Sequence, residues 1–246
     1  MPISRRSVLM GLPLLMTGCS SGPYYRNRAE ALAPPVDPFY AEIYGEVEDE
    51  PFPVDPIDLR RVRPQFLRRE VAYNTTERSG TIVVDPNQRY LYLVEGNGRA
   101  LRYGVGVGRE EGFNFQGEAV IARKAEWPNW TPTKDMIARE PERYGPYRDG
   151  MPGGEDNPLG PRALYLYKDG KDTLFRLHGT LEPRTIGSMV SSGCIRLLNQ
   201  DVIDLYSRVP VGTKVVVLPT APGQARRAPG ESSEGRPTAS LYDRYR

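Results

Sequence analysis

From residue 81 to 126 the chain runs in short apolar or alternating blocks broken by turn residues, a period of two rather than 3.6. TIVVD (81–85) is β-branched and apolar, YLYLVEG (90–96) alternates, and ALRYGVGVG (100–108) follows a turn-like Gly-Asn-Gly at 96–98. EAVIARKAEW (118–127) continues in the same manner. RALYLYKDGKDTLFRLHGT (162–180) predicts a hairpin turning at 168–171, with His178 ending its second strand. Beyond residue 194 the period changes. Val202, Leu205 and Val209 have helical spacing with Asn199 as the N-cap, and TKVVVL (213–218) predicts a last strand. The reading is mainly β with one or two short helices.

The flanks differ. Residues 20–64 carry eight prolines, an acidic run at 46–50 and apolar residues without period, which predicts an extended tether. Residues 221–246 are poor in core residues and read as a disordered tail. That leaves 65–220 as the folded domain. Within it, 127–161 holds Trp127, Trp130, Tyr144, Tyr147 and seven prolines, and reads as a wall or lid beside a binding site. Asn157 is assigned to loop structure.

Charge narrows the partners. With 33 Lys+Arg against 31 Asp+Glu the net charge is +2, and no basic stripe with interleaved aromatics occurs, so no nucleic-acid role is expected. At the N-terminus Arg5 and Arg6 precede an apolar run from Val8 to Met16 and small residues ending at Cys19, the layout of a signal peptide over residues 1–19. SRRSVLM resembles a twin-arginine export signal and MTGC a lipobox that would lipidate Cys19. Ser20 points by analogy to the outer membrane. The expectation is a periplasmic protein anchored to a Gram-negative membrane by lipid. With Cys19 so occupied, Cys194 has no disulfide partner in an oxidising compartment.

His178 is the single histidine, and it opens the segment that Cys194 closes. A thiol of ordinary pKa, about 8.5, is only slightly ionised near neutrality, and an imidazole is the usual base that activates it. Gly179 lets a carbonyl approach the ring. Ser192-Gly193-Cys194 presents successive N–H groups that could hold an oxyanion. The plainer reading is a satisfied strand histidine and a buried cysteine. The glycine flanks and the exported setting favour chemistry. A single histidine argues against a zinc peptidase, and S-x-x-K and G-x-S-x-G are missing.

LHGT, IGSMVSSGCIRLLNQDVIDLY and VPVGTKVVV, with TIVVDPNQRYLYLV and GVGVG upstream, resemble the L,D-transpeptidase (YkuD-like) catalytic domain over roughly 65–220. The resemblance implies a β-sandwich-like fold, Cys194 as nucleophile, His178 as general base and acid, and the Gly179 carbonyl orienting the ring. It further implies oxyanion N–H groups at Gly193 and Cys194. Arg196 stands at the family's basic position, either touching substrate or in a surface salt bridge. One departure stands out: Ser192 occupies the place of the family's second histidine.

No metal or organic cofactor is implied. The implied substrates are peptidoglycan stem peptides, with a stem amine, an envelope protein or water as acceptor. Alternatives are an L,D-carboxypeptidase, an enzyme that cleaves a wall-to-protein bond, and a wall-binding lipoprotein without turnover.

Overall fold

The computed structural model describes residues 37–108, 115–191 and 193–220. The signal-like segment with Cys19, Ser192 and the tail from 221 lie outside the described residues.

The strands are β1 (Arg69–Ala72), β2 (Ile82–Asp85), β3 (Tyr90–Gly96), β4 (Arg99–Gly104), β5 (Val107–Gly108), β6 (Gly117–Glu126), β7 (Arg162–Lys168), β8 (Lys171–His178), β9 (Met189–Ser191), β10 (Ile195–Arg196) and β11 (Lys214–Val217). One sheet has the order β1-β4-β3-β2-β11-β6-β7-β8-β10, and β5 pairs with β9 apart from it. β2 with β11 and β8 with β10 are parallel pairs. Both predicted hairpins form. Asn97 and Gly98 (φ 51 and 72) turn β3 into β4, and Asp169 and Gly170 (φ 51 and 74) turn β7 into β8. Two consecutive left-handed residues match the twist of antiparallel strands.

Ile82 and Leu91 near one end of the sheet, Leu177 and Ile195 at the other, and Val202 and Leu205 share one core cluster. Gly106, just beyond β4, exchanges main-chain hydrogen bonds of 2.9 and 2.8 Å with Arg196 of β10, so the two ends of the strand order approach and the sheet curls on itself, which gives the mainly β, sandwich-like architecture. Val202 and Leu205 belong to α4 (Asn199–Arg208), whose opposite face carries an Arg208–Asp204 ion pair at 2.8 Å. β2 is buried throughout, because Val83 faces a second cluster with Tyr92 and Val94 on the outer face. The helix does not begin as expected. Its N-cap is Leu198, and Asn199 is already helical with its side chain engaged elsewhere.

The tether expected over residues 20–64 is overturned for 37–64. Helix α1 (Pro38–Ile43), capped by the Asp37 carboxylate on the Phe39 N–H, leads to Tyr44, which is 1% exposed. Tyr44, Val62, Phe66 and Leu67 pack with Ile186 and Leu198 in a separate cluster. Each fully buried large apolar side chain contributes roughly 1.5–3 kcal/mol. Polar contacts bind the same segment. Gln200 Nε2 donates to the carbonyls of Gly45 and Asp55 at 2.9 Å each, and Glu50 forms a buried ion pair with Arg162 while accepting from Trp127 Nε1 at 2.9 Å. The domain therefore extends N-terminally beyond residue 65 to include 37–64.

Segment 127–161 is folded too. It contains α2 (Lys134–Arg139) and α3 (Pro141–Tyr144), and Trp130 packs near Tyr144 and Tyr147. Asn157, 1% exposed, organises it. Its Nδ2 donates to the carbonyls of Pro128 (3.0 Å) and Pro152 (2.9 Å), while its Oδ1 accepts the Leu159 N–H at 3.0 Å.

Candidate active site

The last parallel pair builds the site. Ile195 lies opposite Leu177 and Arg196 opposite His178, so the same register sets Cys194 beside Arg176. Leu177 and Ile195 point into the main core. Alternation then sends Arg176, His178 and Arg196 to the other face, while Cys194 immediately precedes β10 and its sulfur lies against the Leu174 carbonyl and the Arg176 main-chain N–H at the edge of β8. Sequence reasoning paired these two residues by chemistry. The strand register sets Cys194, one residue before β10, along the strand that ends in His178.

His178 is 5% exposed, and its Nδ1 lies 2.6 Å from the carbonyl oxygen of Gly179. A carbonyl only accepts, so Nδ1 carries the proton and Nε2 keeps its lone pair. Burial lowers the His178 pKa to about 3, helped by the Arg196 and Arg176 charges and opposed by the Gly179 carbonyl. The ring is therefore neutral, as a base should be. Burial pushes the Cys194 thiol above its ordinary value, while the Arg176 main-chain N–H and the charges of Arg176 and Arg196 pull it back; Asp172 works against them. The resting pair is thus thiol and neutral imidazole. The thiol donates to the Leu174 carbonyl at 3.8 Å, so proton transfer to His178 begins with loss of that bond.

Gly179 is held where no side chain fits: an added Cβ would lie 2.3 Å from Asn199 Oδ1 and 3.1 Å from Pro161 Cδ. Asn199 Oδ1 accepts the Thr180 N–H at 2.9 Å. That clamp on the chain after the histidine displaces the capping role expected of Asn199. At the cysteine turn Gly193 has φ 129, a conformation other residues avoid. Ser191 Oγ donates to the Cys194 carbonyl at 2.6 Å and accepts the Gly193 N–H at 3.2 Å. The Gly193 N–H expected to face an oxyanion is, in this structure, given to Ser191. Arg196 Nη1 is paired with Glu182 at 2.9 Å, the salt-bridge reading of the two considered from sequence.

Sequence reasoning missed Ser191, Asp172 and Arg176. The Ser-Ser-Gly-Cys string offered a signal for Ser191, since hydroxyls close such turns. Nothing in the spacing marked the other two. Among the described residues, no group of three or more His, Cys, Asp or Glu side chains comes together to hold a metal ion. A cavity of about 460 Å³ borders the loop after His178, lined by 53–58, Trp127, Glu155, 180–184 and Asn199; neither His178 nor Cys194 lines it.

Residues 79–217 match the model of the YkuD family, the L,D-transpeptidase catalytic domain. A Bacillus licheniformis protein named as a candidate L,D-transpeptidase, YkuD, is 45% identical over 179 residues, 66% of this chain and 90% of that one. "Probable L,D-transpeptidase YbiS" of Escherichia coli K12 is 34% identical over 143 residues, 57% of this chain and 44% of that one. The chain therefore spans less than half the length of YbiS. A crystal structure of a Brucella melitensis protein, named a probable carnitine operon oxidoreductase, is 52% identical over 65% of this chain and 99% of that one, with a TM-score of 0.45. That name is the Brucella protein's own, and a likeness at this TM-score carries no weight here.

Proposed function

Because the chain belongs to the YkuD family of L,D-transpeptidase catalytic domains, we propose that it is a peptidoglycan L,D-transpeptidase working through a Cys194 thioester. The observation that carries this reading is the β8–β10 register, which sets Arg196 opposite His178 and so brings Cys194, just before β10, alongside the strand that His178 ends, with Nδ1 of the ring committed to Gly179.

Nε2 of His178 takes the thiol proton as the sulfur attacks the carbonyl of the third residue of a tetrapeptide stem. The tetrahedral oxyanion collapses with cleavage of the bond to the D-Ala nitrogen, which leaves carrying the proton from the imidazolium. A thioester remains. An acceptor amine attacks it and gives its proton to Nε2. The new amide bond then forms, the thiolate departs, and the imidazolium reprotonates it. A stem amine gives a 3-3 cross-link, and a protein amine attaches that protein to the wall.

Water as acceptor gives an L,D-carboxypeptidase, with the same first half-reaction. The proposal includes export to the periplasm and anchoring through lipid on Cys19, supported by the signal-like and lipobox-like order of residues 1–19.

The test is incubation of the full chain with disaccharide-tetrapeptide and weighing of the products. Loss of D-Ala with dimer formation supports transpeptidation, and loss of D-Ala alone moves the assignment to the carboxypeptidase. Unchanged substrate, indistinguishable from a Cys194→Ala control, would end the enzymatic reading.

A further inference from the structure

The strand register that delivers Cys194 also builds a row leading up to it. Arg123 of β6 lies opposite Tyr165 of β7, Tyr165 opposite Arg176 of β8, and the Arg176 main-chain N–H meets Cys194, just before β10. The Tyr165 ring is sandwiched. The Arg123 guanidinium sits 4.3 Å from its centroid and that of Arg176 4.4 Å. The row crosses three strand spacings of about 4.8 Å, which puts the Arg123 backbone roughly 14 Å from that of the nucleophile.

The cations of this face are differently engaged. Asp172 grips Arg176 with two bonds of 2.8 and 2.9 Å. Glu182 holds Arg196 at 2.9 Å. Arg123 is exposed, and among the described residues no carboxylate lies within ion-pairing distance of it. A guanidinium fixed by stacking on an aromatic face keeps its in-plane N–H fork free, the geometry that takes a carboxylate. Arg176 adds positive potential between that fork and the sulfur without being released from Asp172.

We propose that the Arg123–Tyr165–Arg176 row is a carboxylate subsite, taking a free carboxylate on the acyl-donor peptide while its reactive carbonyl lies at Cys194. The inference rests on the transpeptidase reading for the identity of the donor, although the subsite itself does not need turnover to be detected. Charge complementarity selects the occupant: an extended acidic peptide crossing the strands.

The test uses the full chain with Cys19→Ser, so that Cys194 is its sole thiol, and two reagents, neutral N-ethylmaleimide and anionic 3-maleimidopropionate. Their rate ratio cancels any change in the ionisation of Cys194. Arg123→Gln should lower the anionic-to-neutral ratio about fivefold, the size of one exposed ion pair, and Arg123→Lys should restore most of it. Thermal unfolding of each variant identifies a damaged fold. An unchanged ratio in folded Arg123→Gln overturns the subsite.

A second arm compares donor stems with a free or an amidated side carboxyl. Arg123→Gln should raise KM for the free form selectively, and an equal rise for both overturns the proposal. If the wild-type chain turns over neither donor, the transpeptidase reading fails while the reagent ratio still decides the subsite.

Discussion

Asn199 Oδ1 accepts the N–H of Thr180 at 2.9 Å, joining the first turn of α4 to the chain two residues beyond His178. The Gly179 carbonyl that fixes the imidazole lies between them, so the side chain acts on the ring through the backbone. Asn199→Ala should cost about 1 kcal/mol of stability, the net value of one hydrogen bond. It should also slow acylation of Cys194 by more than that stability loss accounts for. Denaturant unfolding beside single-turnover acylation measures both. Gly179→Ala should be the more damaging change, because its Cβ would meet the same side-chain oxygen at 2.3 Å and displace the Asn199 clamp itself.

Two buried groups work against each other in the pH dependence of stability. His178 is depressed to about 3 from 6.5, so between those values the unfolded chain binds the proton and the folded one does not. Its contribution is present above pH 6.5 and is lost as pH falls towards 3. Asp201 is raised from 3.8 to about 7, chiefly by burial and against the pull of Arg68. Its contribution is present below 3.8 and is lost as pH rises through 7. Each limb approaches ~1.4 kcal/mol per pH unit, with opposite sign.

Stability should therefore be nearly flat between about pH 4 and 6.5, where the two limbs overlap. Asp201→Asn should expose a slope rising with pH, and His178→Gln a slope falling with it. Unfolding free energies at several pH values test this; a wild-type curve as steep as either variant's would count against the opposition.

Alkylation of Cys194 carries its own pH signature. Burial raises the thiol, and the two arginines only partly offset it. The rate should climb through neutral pH into the alkaline range without a plateau near pH 7. A plateau at or below pH 7 would mean a resting thiolate, which the neutral imidazole of this structure does not support.

The strands and hairpins were legible because each rests on local chemistry: alternation in Tyr90–Gly96, and Asn97-Gly98 and Asp169-Gly170 at the turns. The chemical pair was legible through scarcity and through the family motif. The N-terminal segment was not. Tyr44 and Val62 are single anchors spaced by no period, packed with Ile186 and Leu198 from far along the chain, so the stretch looked like linker. The short β9 and β10 were equally invisible, since two or three residues carry no pattern. A chain beginning at residue 65 should consequently be far less stable than one beginning at residue 37. It loses Tyr44, Val62 and the Glu50 partner of Arg162, and stranding a buried charge costs about 3–5 kcal/mol. Thermal melts of the two chains decide it, and equal midpoints would return the segment to tether.

Leu174 has φ 63 within a strand, and the residue is 67% exposed. β8 bulges there. Tyr165 pairs with Arg176 and Tyr167 with Asp172, so three residues face Leu166 alone. Asp172 Oδ1 holds the Leu174 N–H at 2.8 Å, and Thr173 Oγ1 donates to the Leu166 carbonyl at 2.6 Å. The bulge aims the Leu174 carbonyl at the Cys194 sulfur. A left-handed branched residue costs on the order of 1 kcal/mol that glycine avoids. With so little leucine surface buried, Leu174→Gly should not lower stability by more than about 0.5 kcal/mol and could raise it. The carbonyl keeps its place only if Asp172 and Thr173 suffice to hold the bulge. Asp172→Ala removes the bond to the Leu174 N–H, and combined with Leu174→Gly it should disorder the acceptor and alter the alkylation rate of Cys194 more than either change alone. Unfolding and alkylation of the two single variants and the double variant make that cycle, and strictly additive effects would show that the bulge and the thiol are uncoupled.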